Sequence, residues 1–273
     1  MHGVEHRAPP AGVLTAFGAA GVPVRESGGE GRTWRVGALI LKPCEDAAEA
    51  AWTAGVLSTL PPSNEFRVAA PVAARAGGWI VSGWQAWQAI TGTPDVTRCA
   101  QVLDVADAFH QAIAGFSRPA FLDSRDDPWA YGDRVAWQEL PVNPHGVMAD
   151  LLQPLADARR PVDLPAQPVH GDILGNVLFD QDRPPAVIDW PVYHRPALWS
   201  QAIAVIDAVT WYGAPQELLR SRDDRPGWGQ LLLRALMYRI ATNEGCRRHR
   251  RPVREAADSY RPIVDLVLRP PCG

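Results

Sequence analysis

Val169-His170-Gly171-Asp172-Ile173-Leu174-Gly175-Asn176-Val177-Leu178-Phe179, taken up again after a turn by Ala186-Val187-Ile188-Asp189-Trp190, is the most informative feature of the chain. Val177-Leu178-Phe179 and Ala186-Val187-Ile188 have the β-branched and aromatic content of two short strands. The Asp- and Pro-rich residues 180–185 between them read as the turn of a hairpin. Asp172 then falls in a loop after a short apolar run, Asn176 leads directly into the first strand, and Asp189 ends the second. An amide oxygen and a carboxylate, both suited to magnesium, are expected side by side across the hairpin.

These are the residue types that phosphoryl transfer from ATP requires. The reaction needs metal ions to neutralise phosphate charge, a carboxylate to orient the attacking hydroxyl and take its proton, and exact placement of both. Asp172 is the candidate base, and Asn176 with Asp189 are the candidate magnesium ligands. Taken singly, Asp172 could cap a turn, Asn176 could form an Asx turn and Asp189 could merely end a strand. Their combination in one hairpin favours chemistry over local structure.

With these residues in view, the chain resembles the aminoglycoside phosphotransferase and choline kinase-like family. The family's signature is a His-Gly-Asp motif, a downstream Asn, and an Ile-Asp-Trp or Ile-Asp-Phe step. The resemblance extends across nearly the whole chain and implies an α+β, two-lobed, protein-kinase-like fold. It expects a small antiparallel-sheet N-lobe with one helix and a larger, mainly helical C-lobe. One spacing departs from the family: its Asn usually follows the Asp by five residues, whereas Asn176 follows Asp172 by four. A protein kinase is a poorer match, because neither a His-Arg-Asp catalytic loop nor an Ala-Pro-Glu segment is present.

Composition adds a second pointer. The chain has 26 Arg and one Lys, Lys42, at the end of the apolar run Ala38-Leu39-Ile40-Leu41. Where Arg supplies nearly all positive charge, a single strand Lys suggests a task suited to a compact ammonium. In kinase-like folds that task is to grip the ATP phosphates and pair with a helix Glu. Glu49, on a helix expected over 46–60, is the chosen partner, with Glu45 as the alternative. Ala48, Ala51, Trp52 and Val56 are expected on the helix's inner side. Before Lys42, strands are expected over 22–26 and 32–36, joined by Ser27-Gly28-Gly29-Glu30-Gly31. In such a connection backbone amides at Ser27, Gly28, Gly29 and Gly31 can approach phosphates closely, though it is also simply a good turn.

The expected organisation is an N-terminal nucleotide-binding lobe over 1–82, a linker over 83–94, and a helical lobe over 95–273. Trp79-Ile80-Val81 reads as a strand, and the resemblance places the adenine-binding hinge at Ser82, Gly83 and Trp84. A helix over 95–115 carries Val102, Val105, Ala106 and Phe109 at helical spacing, with His110 read as a packing residue. Asp123, Asp126, Asp127 and Asp133 lie near Trp129, Tyr131 and Trp137. They could line an acceptor site or form a solvated loop with buried aromatic anchors.

Beyond Asp189, Tyr193-His194-Arg195-Pro196 stands where many relatives carry further acids, which weakens the case for a polycationic acceptor. Asp207, inside an apolar helix over 197–212, needs a polar cleft or, more commonly, an Arg partner. Arg247-Arg248-His249-Arg250-Arg251 with Arg254 could attract an acidic acceptor or an anionic partner, or form a solvated turn and helix start, with Pro252 opening the last helix.

With 273 residues, 47% of them hydrophobic, the chain can bury a substantial core. Its net charge of -3 gives no case for nucleic-acid binding. No apolar run approaches a membrane span and no signal-type core follows Met1, so a cytoplasmic location without membrane partners is expected. Cys44, Cys99, Cys246 and Cys272 lack metal or redox spacing and are expected to be reduced thiols. The sequence thus predicts an ATP- and magnesium-dependent phosphotransferase acting on a small-molecule hydroxyl. The alternative is a nucleotide-binding regulatory protein with weak turnover, suggested by the shortened Asp172 to Asn176 spacing.

Overall fold

The computed structural model describes residues 8–26, 31–253 and 257–269. The chain divides into two compact units. One comprises residues up to Pro94 together with Val177–Val192; the other comprises Asp95–Asn176 and the residues from Tyr193 onward. The hairpin of the opening motif therefore belongs to the first unit, a grouping that a single cut at 94 does not produce.

In the first unit, a short helix α1 (Ala11–Phe17) precedes β1 (Val24–Arg25), β2 (Trp34–Val36) and β3 (Leu39–Pro43). After helix α2 (Ala47–Thr59) come β4 (Arg67–Val68), β5 (Pro71–Val72), β6 (Ile80–Val81), β7 (Trp84–Gln88) and β8 (Thr93–Pro94). The main sheet runs β1-β2-β3-β7-β5, with β6 also paired to β7. Antiparallel register sets Lys42 opposite Gln85 and Leu39 opposite Gln88. Val36, Leu41 and Ala86 from the sheet close on Val13 and Phe17 of α1, which forms this unit's core. Helix α1 leaves no mark in the hydrophobic pattern, because seven residues give too little helical period to register.

Two local expectations are corrected here. Ser82 (φ 48°) and Gly83 (φ 75°) are both left-handed and sit between the paired residues Val81 and Trp84. They are the two-residue turn of a β-hairpin, whose twist demands positive φ at both central positions. Ser82, Gly83 and Trp84 are therefore not a hinge: the chain stays in the sheet through Gln88 and leaves it only at residues 89–92. In α2 the buried side chains are Ala50, Thr53, Ala54 and Val56, while Ala48 and Ala51 face solvent and Trp52 is half-buried. An Ala-rich helix has apolar residues all round, so its sequence period does not fix the inward face.

A second sheet of the first unit has the order β4-β11-β10-β8, where β10 is Val177–Phe179 and β11 is Ala186–Val187. The hairpin pairs Val177 with Val187 and Leu178 with Ala186. Strands β8 and β4, both from the N-terminal part of the chain, cover its two edges. That is the physical reason these residues group with the first unit.

The second unit is mainly helical. It contains α3 (Cys99–Ile113), α4 (Phe121–Ser124), α5 (Pro128–Ala136), α6 (Ala149–Asp157), α7 (Ala197–Trp211), α8 (Trp228–Arg248) and α9 (Ala257–Leu268). Strand β9 (Ala166–His170) pairs with β12 (Val192–Pro196). Asp95 caps the 3-10 turn that leads into α3, and Asp127 caps α5, each through its carboxylate. Helices α7 and α8 are buried along most of their length. Helix α5 packs so closely on α8 that a Cβ at Gly132 would lie 2.7 Å from the Tyr238 carbonyl oxygen. Pro252 lies in irregular chain, and the last helix is described from Ala257.

Candidate functional site

In the second unit, β9 delivers His170, Gly171 and Asp172 into a turn closed by two buried anchors, Ile173 and Leu174. The residues Leu174–Asn176 form a 3-10 turn, and the Asn176 N–H donates to the Ile173 carbonyl at 3.0 Å. This tighter winding accommodates the four-residue step from Asp172. The Asn176 side-chain amide donates to the Asp172 carbonyl at 2.6 Å, which commits its nitrogen and turns its oxygen away. Asp172 and Asn176 are thus held against each other within one turn.

Beneath Asp172 two histidines act in series. The Asp172 N–H donates to His170 Nδ1 at 3.1 Å, and the His170 N–H donates to His110 Nε2 at 3.0 Å. Ser200 Oγ donates to the His170 carbonyl at 2.5 Å. His110 is fully buried, and desolvation, reinforced by His170, pushes its pKa down to about 3. It is therefore a neutral acceptor at ordinary pH. Gly171 is required by the same architecture: a Cβ there would lie 2.2 Å from the Tyr193 ring. Tyr193 is in turn hydrogen-bonded, hydroxyl to hydroxyl, to Tyr238 at 3.0 Å.

Arg239 of α8 reaches Asp172 from the other side. Its Nη2 donates to Asp172 Oδ1 at 2.6 Å, while Nε donates to Asp207 Oδ1 at 2.8 Å and Nη2 also bonds Asp207 Oδ2. Burial alone would lower the Arg239 pKa; the carboxylates of Asp207 and Asp172 outweigh it and hold the guanidinium well above its ordinary value. Asp207 finds the Arg partner that its place in an apolar helix demanded. Arg239 itself carried no signal in the sequence, being one Arg among 26; only the unmet charge of Asp207 could have prompted a search for it.

The acids near Trp129 have structural partners. Asp127 accepts from the Trp129 and Ala130 N–H groups at 2.8 Å. Arg195 grips Asp133 through Nε at 2.9 Å and Nη2 at 2.6 Å. Asp123 pairs with Arg118 at 2.8 Å. In the basic run, Arg248 stacks on Tyr131 and Arg251 on Trp129, at 4.3 and 5.5 Å from the ring centroids; Arg254 lies outside the described residues.

In the first unit, Lys42 projects from β3 and pairs with the Asp189 carboxylate. The Trp87 ring centroid lies 5.8 Å from its Nζ. Asp189 has φ 45°, a left-handed conformation that a non-glycine residue rarely holds and that concentrates at binding sites. The Lys42 partner is therefore Asp189 and not Glu49, whose Oε1 accepts the Val192 N–H at 3.3 Å. The alternative, Glu45, is paired with Arg32. Trp190 packs on Trp52 of α2, ring centroids 5.5 Å apart, and so ties the Ile-Asp-Trp step to that helix. Gly31 is left-handed, φ 69°, whereas Ser27, Gly28 and Gly29 lie outside the described residues.

Among the described residues no group of three or more His, Cys, Asp and Glu side chains could hold a metal. Asn176 and Asp189 offer one neutral and one charged hard oxygen donor. Oxygen donors of both kinds are ones that magnesium accepts.

The model of the phosphotransferase enzyme family, APH, matches residues 22–193. The chain belongs to this family. It is an enzyme of the kinase type, with the kinase-like fold. A comparison with curated proteins gives no significant match. Among solved structures, an aminoglycoside phosphotransferase APH(4)-Ia bound to ADP and hygromycin B is 18% identical, with TM-score 0.56. The match covers 95% of this chain and 97% of that one. A choline/ethanolamine kinase family protein from Mesorhizobium loti is also 18% identical, covering 93% and 90%, with TM-score 0.55. The amicoumacin kinase hAmiN, bound to AMP-PNP, Ca2+ and Ami, is 12% identical, covering 92% and 89%, with TM-score 0.57.

Proposed function

We propose that this phosphotransferase moves the terminal phosphoryl group of ATP, with magnesium, to a hydroxyl group of a small molecule. The observation that carries the reading is the seating of Asp172. In a chain of this family, its backbone is held by His170 and Asn176 at the end of β9, and its side chain is 48% exposed. A carboxylate so placed can orient a hydroxyl and accept its proton late in transfer.

Lys42 grips the nucleotide phosphates, with the Gly-rich connection that ends at Gly31. Residues 89–92, where the chain leaves β7, take the adenine-hinge role expected of Ser82, Gly83 and Trp84. Asn176 and Asp189 would hold magnesium, which when bound neutralises phosphate charge. Several structural neighbours are crystallised with ADP or AMP-PNP and one with Ca2+, which supports nucleotide and divalent-metal use.

The neighbours named for hygromycin B, spectinomycin or choline and ethanolamine suggest an alcohol on a small polar molecule. In this chain the acids at 123, 127 and 133 pair with arginines or cap a helix, and Arg195 follows Asp189, which disfavours a polycation. The test is mass spectrometry of a metabolite extract incubated with ATP, magnesium and either wild type or Asp172→Asn. A species gaining one phosphoryl group with wild type alone is expected. Nucleotide binding without any phosphorylated product would overturn the reading.

A further inference from the structure

The structure assigns to Arg239, anchored by Asp207, the role of a positioning residue that sets the direction of the Asp172 carboxylate; the functional meaning of that role rests on the phosphotransferase reading above. The backbone bonds from His170 and Asn176 fix where Asp172 sits, but they leave its side-chain torsions to be set by something else. The contact from Arg239 Nη2 to Oδ1 at 2.6 Å supplies that restraint. With Oδ1 held and the Asn176 amide 3.5 Å from Oδ2, the carboxylate plane is defined, and with it the line along which Oδ2 meets an acceptor hydroxyl.

The clamp is rigid at one end and open at the other. Arg239 is 5% exposed and Asp207 3%. The guanidinium lies against the rings of Trp211 and Tyr238, at 5.2 and 5.0 Å from their centroids. Two parallel bonds to Asp207 fix the guanidinium in its own plane, and the aromatic faces restrict its tilt. A lysine could not make both bonds to Asp207 and still reach Asp172. Asp207 also balances the buried charge, so the three side chains together carry one negative charge, that of a single carboxylate. The general base is thereby held without being neutralised by a bare cation.

A purely structural tie between α7 and α8 that happens to touch Asp172 is the competing explanation, and a double variant separates the two. Arg239→Gln with Asp207→Asn removes both buried charges and strands neither. It is expected to fold and to keep its affinity for ATP, followed by a fluorescent analogue, within about twofold. Turnover on the acceptor found by the metabolite screen should drop about 10- to 100-fold at little-changed KM for ATP, the scale of a small misplacement of a reacting group. Arg239→Lys keeps the charge without the fork, and should recover thermal stability without recovering kcat. Crystal structures of wild type and the double variant should show the Asp172 carboxylate rotated, with the bond from Asn176 to the Asp172 carbonyl unchanged. An unmoved Asp172 rotamer, or an unchanged kcat, would overturn the inference. If wild type transfers phosphate to nothing, the proposed function fails, and the rotamer comparison still decides the role of Arg239.

Discussion

Lys42, the single lysine of the chain, is paired with Asp189, the residue that ends the Ile-Asp step of the motif. Their side chains are 27% and 43% exposed, so solvent screens the attraction and the pair contributes little to folding, about 0–1 kcal/mol. Its value lies in what each half can bind. On the proposed reading, Lys42 would hold a nucleotide phosphate and Asp189 its accompanying cation, so that binding would separate the pair.

Replacement of either partner should therefore spare stability and weaken or alter nucleotide binding. Lys42→Met is expected to weaken ATP about 10- to 100-fold, the worth of a charge-assisted contact. Asp189→Ala is expected to abolish the magnesium dependence of binding. Both should shift Tm by no more than about 4 °C. Calorimetric titration with and without magnesium, beside a thermal melt, checks both parts; a collapse of Tm with intact ATP affinity would contradict them.

Gly171 is constrained by the Tyr193 ring rather than by its own backbone torsions. Gly171→Ala would force a methyl group into that ring, a cost of about 1–3 kcal/mol by overpacking. Adding Tyr193→Ala should relieve the clash, so the two substitutions together should cost less than their separate effects summed. Denaturant melts of the two single variants and the double variant measure this; simple additivity would place the strain elsewhere.

His110 makes stability depend on acid pH. Its folded pKa, about 3, lies below its ordinary value of 6.5, so between these values the unfolded chain binds the extra proton. This contribution is fully present above pH 6.5 and is lost as pH falls towards 3, with a slope of up to about 1.4 kcal/mol per pH unit. His110→Gln keeps an acceptor for the His170 N–H but cannot titrate. Its unfolding free energy between pH 6.5 and 4.5 should fall less steeply than that of wild type, and equal slopes would refute the assignment.

What the sequence made legible follows from where information is local. The His-Gly-Asp turn, the Asn-led hairpin and the strand ending in Lys42 each depend on a few adjacent residues, and strand and turn chemistry places them. The inward face of α2 was not legible because alanines at positions 48, 50, 51 and 54 leave no polar side to mark. The hinge that the resemblance places at Ser82, Gly83 and Trp84 rests on family alignment alone; only the register of Val81 against Trp84 shows a hairpin turn there. Arg239 lies 67 residues from Asp172 in the chain, and no spacing rule joins an interior helix arginine to a loop that distant.

The aromatic-flanked acids of 123–133 offer a last test, because partnership and exposure predict opposite outcomes within one short segment. Asp133 is buried and held by both arms of Arg195, whose guanidinium also stacks 5.0 Å from the Trp137 ring centroid. Asp126 is 85% exposed, with His249 Nε2 4.0 Å from its Oδ1. If these acids served mainly to bind an acceptor, the exposed one would matter to KM and the buried one less. The structure points the other way for stability: Arg195→Met strands a buried carboxylate and should cost about 3–5 kcal/mol. Asp126→Asn should stay within about 0.5 kcal/mol of wild type. Since Asp133 is spent on Arg195, neither the charge of Asp126 nor that of Asp133 should alter acceptor KM by more than about twofold in variants that remain folded. Urea melts and steady-state kinetics on the identified acceptor decide the matter; a large KM effect of Asp126→Asn would return this segment to the acceptor site.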